Sequence, residues 1–322
     1  MTDNLGRTID YIRISVTDRC NLRCLYCMPE EGTIPMEQEE ILTDKEILRI
    51  SEAASKLGIR KAKITGGEPL IRKNIEELIA QLSKIFGSES VSMTTNGCLL
   101  KEKASALKAA GLSAVNVSLD TLDRDRFQKI TRRDCFDSVM EGIKSGGSEG
   151  LRVKINCTVM EGMKKEEVLA FALFSAKWKI PIRFIEMMPI GQGKKYQGFR
   201  RDDLMKIIKD ALGDLREVTT EMGNGPAVYY TWGDGQGMVG FISAVTHRFC
   251  GNCNRVRLTC NGQLRLCLDS FMGVDLKEPL RQGISDKELT ELMKRWIEKK
   301  PASHHFEENH QNQGFNMNQI GG

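Results

Sequence analysis

No apolar run in the 322-residue chain approaches the ~18 residues that a membrane-spanning helix needs. The N-terminal stretch MTDNLGRTID has neither a basic n-region nor an apolar h-segment, so no secretory signal is expected. Charge of one sign is also scarce: 47 Lys and Arg against 43 Asp and Glu leave +4. That is too mild to point to nucleic acid, yet it allows a local basic pocket for a small anion. There is no low-complexity tract and no sequence repeat. These absences lead us to expect a soluble, cytoplasmic protein with neither membrane nor nucleic acid as partner. Ten cysteines in a reducing compartment then read as metal ligands rather than disulfides.

Three of them stand together. Cys20, Cys24 and Cys27 have CxxxCxxC spacing, directly after an alternating segment (Ile12, Ile14 and Val16 apolar, Arg13 and Ser15 polar) that reads as a strand. Iron–sulfur clusters are held by thiolates, and full ligation of a cubane takes four. Three ligands with an aromatic residue, Tyr26, inside the set suggest a cluster whose fourth iron holds something else. The alternatives are a zinc site with its fourth ligand elsewhere, or packing cysteines.

Onward from there, helical and strand patterns alternate. Thr43 to Glu46 is a capping box opening a helix that Gly58 closes. Strands are expected at 62–65, 91–95, 113–119, 151–159 and 182–188, and helices at 75–86, 98–110, 136–144, 168–178 and 204–212. Six βα units with short connections argue for an α/β fold with a parallel sheet, open or closed into a barrel. A parallel strand buried on both faces should be almost continuously apolar, and these are not. Val153, Ile155 and Cys157 alternate with Lys154 and Asn156; Val115 and Val117 alternate with Asn116 and Ser118. With the apolar set against helices, Arg13, Lys63, Thr94, Asn116, Ser118, Lys154 and Asn156 face inward and line a cavity suited to a polar anion. An antiparallel sheet with one wet face would show the same alternation.

The last hundred residues change character. Gly223 to Gly240 is glycine-dense with Tyr229, Tyr230 and Trp232 and reads as a β-hairpin. Then Cys250 and Cys253 form a second metal knuckle, followed by a hairpin across Asn261-Gly262 that carries Arg255, Val256 and Arg257 outward and Cys267 back. A two-residue turn would pair Cys267 with Val256; a three-residue turn with Gly262 left-handed pairs it with Arg255. The second register is expected, because it puts ligands and cations on one face. A zinc site of Cys250, Cys253, Cys260 and Cys267 is one reading. Leaving out Cys260, which abuts the turn, gives a second three-cysteine site flanked by arginines that suit a phosphate-bearing or guanine-containing anion.

CxxxCxxC after the first strand and Thr65-Gly66-Gly67-Glu68-Pro69 after the second resemble the radical S-adenosylmethionine (SAM) superfamily. Within it, RISVTDRCNLRCLYCMP, KITGGEPLIR, TTNG, NVSLD, FIEMMPIG, FCxxCNRVRLTxxGxLxxCL and the terminal Gly-Gly are similar to the GTP 3′,8-cyclase family of molybdenum cofactor biosynthesis, from Ile9 to Gly322. The resemblance implies an incomplete (β/α)6 TIM-like barrel over residues 1–215. A C-terminal β-rich region over 216–300 would carry a second cluster and bind GTP, and 301–322 would be a mobile tail ending Gly-Gly. Two [4Fe-4S] clusters are implied: one on Cys20, Cys24 and Cys27 that chelates SAM, the other on Cys250, Cys253 and Cys267 that accepts GTP. Tyr26, Gly67, Ser118 and Met188 match SAM-contacting positions, and Glu68 offers an acceptor for the SAM ammonium. Arg13, Lys63, Thr94, Lys154, Arg255, Val256 and Arg257 match GTP-contacting positions. Position 63 is commonly Arg in the family; Lys63 keeps the charge and loses the planar fork.

The implied reaction is abstraction of the ribose 3′ hydrogen of GTP by a 5′-deoxyadenosyl radical, then attack on guanine carbon 8. Arg13 and the terminal Gly321 and Gly322 are implied in the radical step. As partners, the resemblance implies a downstream cyclic pyranopterin monophosphate synthase, an electron donor protein of unspecified identity, and a homodimer. The alternative is a radical SAM peptide-modifying enzyme with an auxiliary cluster, a class that usually has more C-terminal cysteines and no need of paired arginines. By composition alone the tail, with His304, His305 and His310, reads as solvated chain without a histidine metal site.

Overall fold

The computed structural model describes residues 1–219, 223, 225–270, 272–306 and 316–321. Six strands, β1 (Tyr11–Ser15), β2 (Lys61–Thr65), β3 (Val91–Thr95), β4 (Ala114–Ser118), β5 (Arg152–Thr158) and β6 (Ile182–Ile185), lie side by side in chain order, each pair parallel. Helices α1 (Asp44–Lys56), α2 (Ile75–Phe86), α3 (Leu100–Ala109), α4 (Arg124–Thr131), α5 (Phe136–Ser148) and α6 (Lys165–Trp178) fill the crossovers, and α7 (Arg201–Leu212) follows β6. The chain is thus an α/β fold with a partial, barrel-like parallel sheet. The capping box at Thr43 is present: its side chain accepts from the Glu46 amide, and Glu46 accepts from the Thr43 amide.

Alternation along the strands sorts the two faces as expected. Ile12, Ile14, Ile64, Val91, Met93, Val115, Val117 and Ile155 are fully buried in one continuous apolar layer with the helices. At ~25 cal/mol per Å² this layer supplies the main drive for folding. Their polar neighbours turn to the other side.

The C-terminal strands do not stack on the sheet; they lengthen it at both edges. β9 (Met238–Ile242) runs parallel beside β6, with β8 (Val228–Thr231) and β7 (Arg216–Val218) antiparallel beyond it. At the opposite edge β10 (Arg255–Leu258) runs parallel beside β1, followed by β11 (Gln263–Arg265) and β12 (Gly273–Asp275). The sheet order is β12-β11-β10-β1-β2-β3-β4-β5-β6-β9-β8-β7. Short helices α8 (Lys277–Arg281) and α9 (Asp286–Ile297) follow, and α10 (Met317–Ile320) is a single turn near the end.

Three local expectations need correction. β6 stops at Ile185 rather than Met188; the Glu186 amide still donates to the Ile242 carbonyl at 3.0 Å, and beyond it Pro189, with no amide to give a ladder, keeps the strand from resuming. α5 runs to Ser148, beyond Lys144. Gly142, missing a side chain, lets the helix lie against the loop before α3, where a Cβ would sit 2.6 Å from the Gly97 carbonyl and 3.0 Å from Leu100 Cβ. α4 went unrecognised in the polar run after Asp123; its signals are the Asp123 cap, whose carboxylate accepts from the Arg126 amide at 2.7 Å, and the buried Phe127 and Ile130 three residues apart.

One buried ion pair ties the two ends of the chain to the second cysteine loop. Arg7 Nε donates to Asp3 at 2.7 Å, its Nη1 to the Cys250 and Ala302 carbonyls at 3.1 and 3.3 Å, and its Nη2 to the Lys300 carbonyl at 2.9 Å. Removing one partner of such a pair leaves the other charge buried. We expect Arg7→Met to lower unfolding stability by about 3–5 kcal/mol in urea titrations; a loss below about 1 kcal/mol, the worth of a surface pair, would contradict this account.

Candidate active site

The first cysteine loop leaves β1 and is pinned from two directions. The Gly67 amide donates to the Thr17 carbonyl at 2.7 Å and the Glu68 amide to the Arg19 carbonyl at 2.8 Å. A Cβ on Gly67 would lie 2.2 Å from that Arg19 carbonyl, so the turn after β2 admits only glycine there. From the other side the Arg23 and Leu25 amides donate to the Thr131 and Ile130 carbonyls at the end of α4. Within the loop Tyr26 donates to Asp120 at 2.7 Å, and Asp120 also accepts from the Thr158 amide at 2.7 Å. The carboxylate thereby clamps the loop to the ends of β4 and β5. Burial pushes the Asp120 carboxyl up to about 6, against the pull of these bonds.

The second set is arranged by the hairpin. Arg257 pairs with Arg265 and Leu258 with Leu264, which continues to Arg255 opposite Cys267, and Gly262 sits at φ +89°. This is the three-residue turn, and Cys267 shares a face with both arginines. Cys260 lies apart, buried with its sulfur 3.9 Å from that of Met36. All ten cysteines are free thiols.

Both sets open onto one cavity of about 1260 Å³, larger than the ~300–1,000 Å³ of a pocket for one small molecule. Cys20, Cys24, Cys27, Cys250, Cys253 and Cys267 all line it, with Arg13, Tyr26, Lys63, Gly67, Thr94, Ser118, Lys154, Met188, Arg255 and Arg257. Two of the expected residues are elsewhere. Glu68 is buried behind the wall, where its carboxylate accepts from the Leu70 amide, the Thr95 hydroxyl and the Asn96 amide at 3.0, 2.7 and 2.7 Å. Val256 is fully buried in the apolar layer. Gly322 lies outside the described residues. Gly321, at φ +72°, accepts a bond from Arg257 Nη1 at 3.1 Å. The same turn of chain reaches the first cysteine loop, where the Met317 amide donates to the Cys27 carbonyl at 3.3 Å and Asn318 to the Asp18 carbonyl at 2.9 Å. These six described tail residues therefore tie the first cysteine loop to Arg257 of β10.

Sequence reasoning missed Arg183. It lies on β6 between the core residues Ile182 and Phe184, opposite Asn156 of β5, and parity alone could have found it. Lys300 also lines the cavity and bonds the Arg255 carbonyl at 2.8 Å and that of Leu266; nothing in its sequence context signals this. The inward cations crowd one another. Burial, then Arg183, Arg13 and Lys154, push Lys63 well down; burial and then Arg183 bring Lys154 to about 8. The lining carboxylates are both engaged, Glu89 by Arg152 at 2.8 Å and Glu186 by the Val245 and Thr246 amides at 2.8 and 3.0 Å. Arg183 Nε and Nη2, Thr94 Oγ1 and Asn156 Oδ1 are buried without hydrogen-bond partners. A polyanion would satisfy them.

The thiols fit iron–sulfur ligation. Among the described residues no three His, Cys, Asp or Glu side chains converge enough for a single ion, whereas each thiolate of a cubane meets its own iron. Burial, foremost, pushes Cys20 up to about 11, Cys27 to about 12 and Cys24 well up. Such thiols ionise only against a positive centre. Cys253 differs: despite burial, Arg255 and Lys300 bring it down to about 7. In cluster-free protein we expect iodoacetamide to label Cys253 with a midpoint near pH 7 while Cys20 and Cys27 stay inert below about pH 10. Peptide mass mapping reads this, and equal labelling of all three at neutral pH would refute the contrast.

Comparison with known proteins agrees with this geometry. Residues 14–174 match the Radical SAM superfamily and residues 180–306 match Molybdenum Cofactor Synthesis C. The chain is 44% identical to the GTP 3′,8-cyclase of Pelotomaculum thermopropionicum over the full length of both, and 48% identical to that of Thermodesulfovibrio yellowstonii over 94% of each. Among solved structures, Streptococcus suis SuiB matches with TM-score 0.62 and 17% identity, covering 84% of this chain and 64% of SuiB, which supports the fold alone. By family match and full-length identity, the chain belongs to the GTP 3′,8-cyclases of the radical SAM superfamily.

Proposed function

We propose that this chain converts GTP to 3′,8-cyclo-7,8-dihydro-GTP, the first step of molybdenum cofactor biosynthesis. The observation that carries the reading is that two three-cysteine sets face each other across one cation-lined cavity. Cys20, Cys24 and Cys27 would hold one [4Fe-4S] cluster and Cys250, Cys253 and Cys267 the other. When bound, the first cluster with SAM supplies a 5′-deoxyadenosyl radical and the second supplies an iron for the guanine.

The residues of the chain provide the rest. Tyr26, Gly67, Ser118 and Met188 cradle SAM beside the first set. Lys63, Lys154 and Arg183 take the triphosphate, with Arg13, Thr94, Arg255 and Arg257 holding the nucleotide toward the second set. Fixing base and ribose in reacting geometry is worth roughly 7–11 kcal/mol. Arg257 anchors the tail through Gly321, which keeps water from the radical end. On this reading residues 1–215 generate the radical and supply the phosphate-binding cations, 216–300 carry the second cluster with Arg255 and Arg257, and 316–321 close the chamber. An electron donor protein, hand-off of product to a cyclic pyranopterin monophosphate synthase, homodimerisation and a cytoplasmic location complete it. No helix among the described residues is long and apolar enough to cross a membrane.

The test is anaerobic. After reconstitution with iron and sulfide, SAM, dithionite and GTP should give 5′-deoxyadenosine in a GTP-dependent manner, with iron for two cubane clusters per chain. Formation indifferent to GTP would overturn the reading in favour of another radical substrate, such as a peptide. We expect Lys63→Arg to keep cyclisation and Lys154→Ala to weaken GTP binding roughly 10–100-fold, the worth of one hydrogen bond to a charged group. Because Lys154 titrates at about 8, its charge is present below that pH and lost above it. GTP affinity measured by isothermal titration should therefore fall as pH rises past about 8, with proton uptake on binding, and Lys154→Arg should flatten the profile.

A further inference from the structure

The cavity does not end at the inward cations. Its lining continues past them to Lys61 at the start of β2, Ser113 before β4, Arg152 at the start of β5, and Lys179 to Pro181 before β6. It therefore spans the barrel from the first cysteine loop, at the C-terminal end of β1, to the strand N-terminal ends, where Cys250 and Cys253 precede β10. That is about 17 Å for strands of five residues at ~3.3 Å each. Barrels of this kind ordinarily fill that space with layers of side chains; here the inward positions are polar and leave it open.

Exposure along the cavity is uneven. Every exposed lining residue among those described lies either at the strand N-terminal rim (Lys144, Gly147, Ser148, Arg152, Trp178, Lys179, with Glu89) or in the loop before β8, at Gly223 and Gly225. None lies at the end of the first cysteine loop, where α10, Phe306 and His304 cover it. The rim cations are also tempered, whereas those inside reinforce one another. Arg152 pairs with Glu89 at 2.8 Å and Lys61 with Asp10 at 3.4 Å. Lys144 stands 5.6 Å over the Trp178 ring, and Lys179 donates to the Gln236 carbonyl at 3.0 Å. Two cation ladders lead inward on alternate residues, Lys61 to Lys63 and Arg152 to Lys154. The potential thus rises from mouth to interior, as a funnel for a polyanion requires.

We infer that the nucleotide enters, and its product leaves, through the N-terminal mouth of the barrel, at the end opposite the first cysteine loop. This rests on the nucleotide reading above.

A plug at the rim tests the route. Gly147 has ordinary backbone geometry, and a Cβ there would meet nothing within 4 Å, so Gly147→Trp should fold and place an indole at the mouth. Anaerobic stopped flow on the cluster-loaded chain should show GTP association and dissociation both slowed by about tenfold, with Kd unchanged, since a gate alters rates and not the bound state. A Lys144→Glu, Lys179→Glu double variant should slow GTP association by about tenfold at low salt and leave guanosine unaffected. GTP rates unmoved by Gly147→Trp, or an affinity loss without slower dissociation, overturn the route while leaving the nucleotide reading intact. A wild-type chain that binds no GTP overturns both.

Discussion

The structure turns on like charge enclosed without a neutralising acid. Arg13, Lys63, Lys154, Arg183 and Arg257 project from β1, β2, β5, β6 and β10 into one space where the lining carboxylates among the described residues, Glu89 and Glu186, are held by Arg152 and by the Val245 and Thr246 amides. Each cation is disfavoured there by burial, and all but Arg183 also by neighbouring cations. Such an arrangement survives because the opposite faces of the same strands bury an unbroken apolar layer against the helices. The fold thus spends stability on a chamber that is costly when empty and favourable when it holds a polyanion.

The two cysteine sets sit in contrasting electrostatic surroundings. Around Cys20, Cys24 and Cys27, burial and neighbouring thiols oppose ionisation, with Glu68 and Asp120 close by. Around Cys253, Arg255 and Lys300 favour it. Local negative charge makes a centre harder to reduce, and local cations make reduction easier. The difference arises from ordinary side chains behind and beside the ligands, so inspection of the cysteines alone would not reveal it.

Much of this was legible in the chain. Alternation in β4 and β5 gave both the faces and the lining, because a period of two cannot be satisfied any other way beside amphipathic helices. The hairpin register followed from requiring Cys267 on the arginine face. What escaped notice depends on distance along the chain. Glu68 sits in a motif turn that suggests a ligand contact, yet three donors from its own and a neighbouring loop hold it behind the wall. Arg183 was readable by parity. Lys300 was not, since its place depends on where the segment after α9 returns. That the C-terminal strands would extend both sheet edges was equally hidden, because composition shows a hairpin but not which edge it joins.

Pairing at both edges also has a consequence for how the chain is made. Tyr11 finds its partner in Arg255, so β1 emerges early in synthesis and waits with a bare edge until β10 follows. Such long-range closure is slow and leaves an edge prone to wrong pairing.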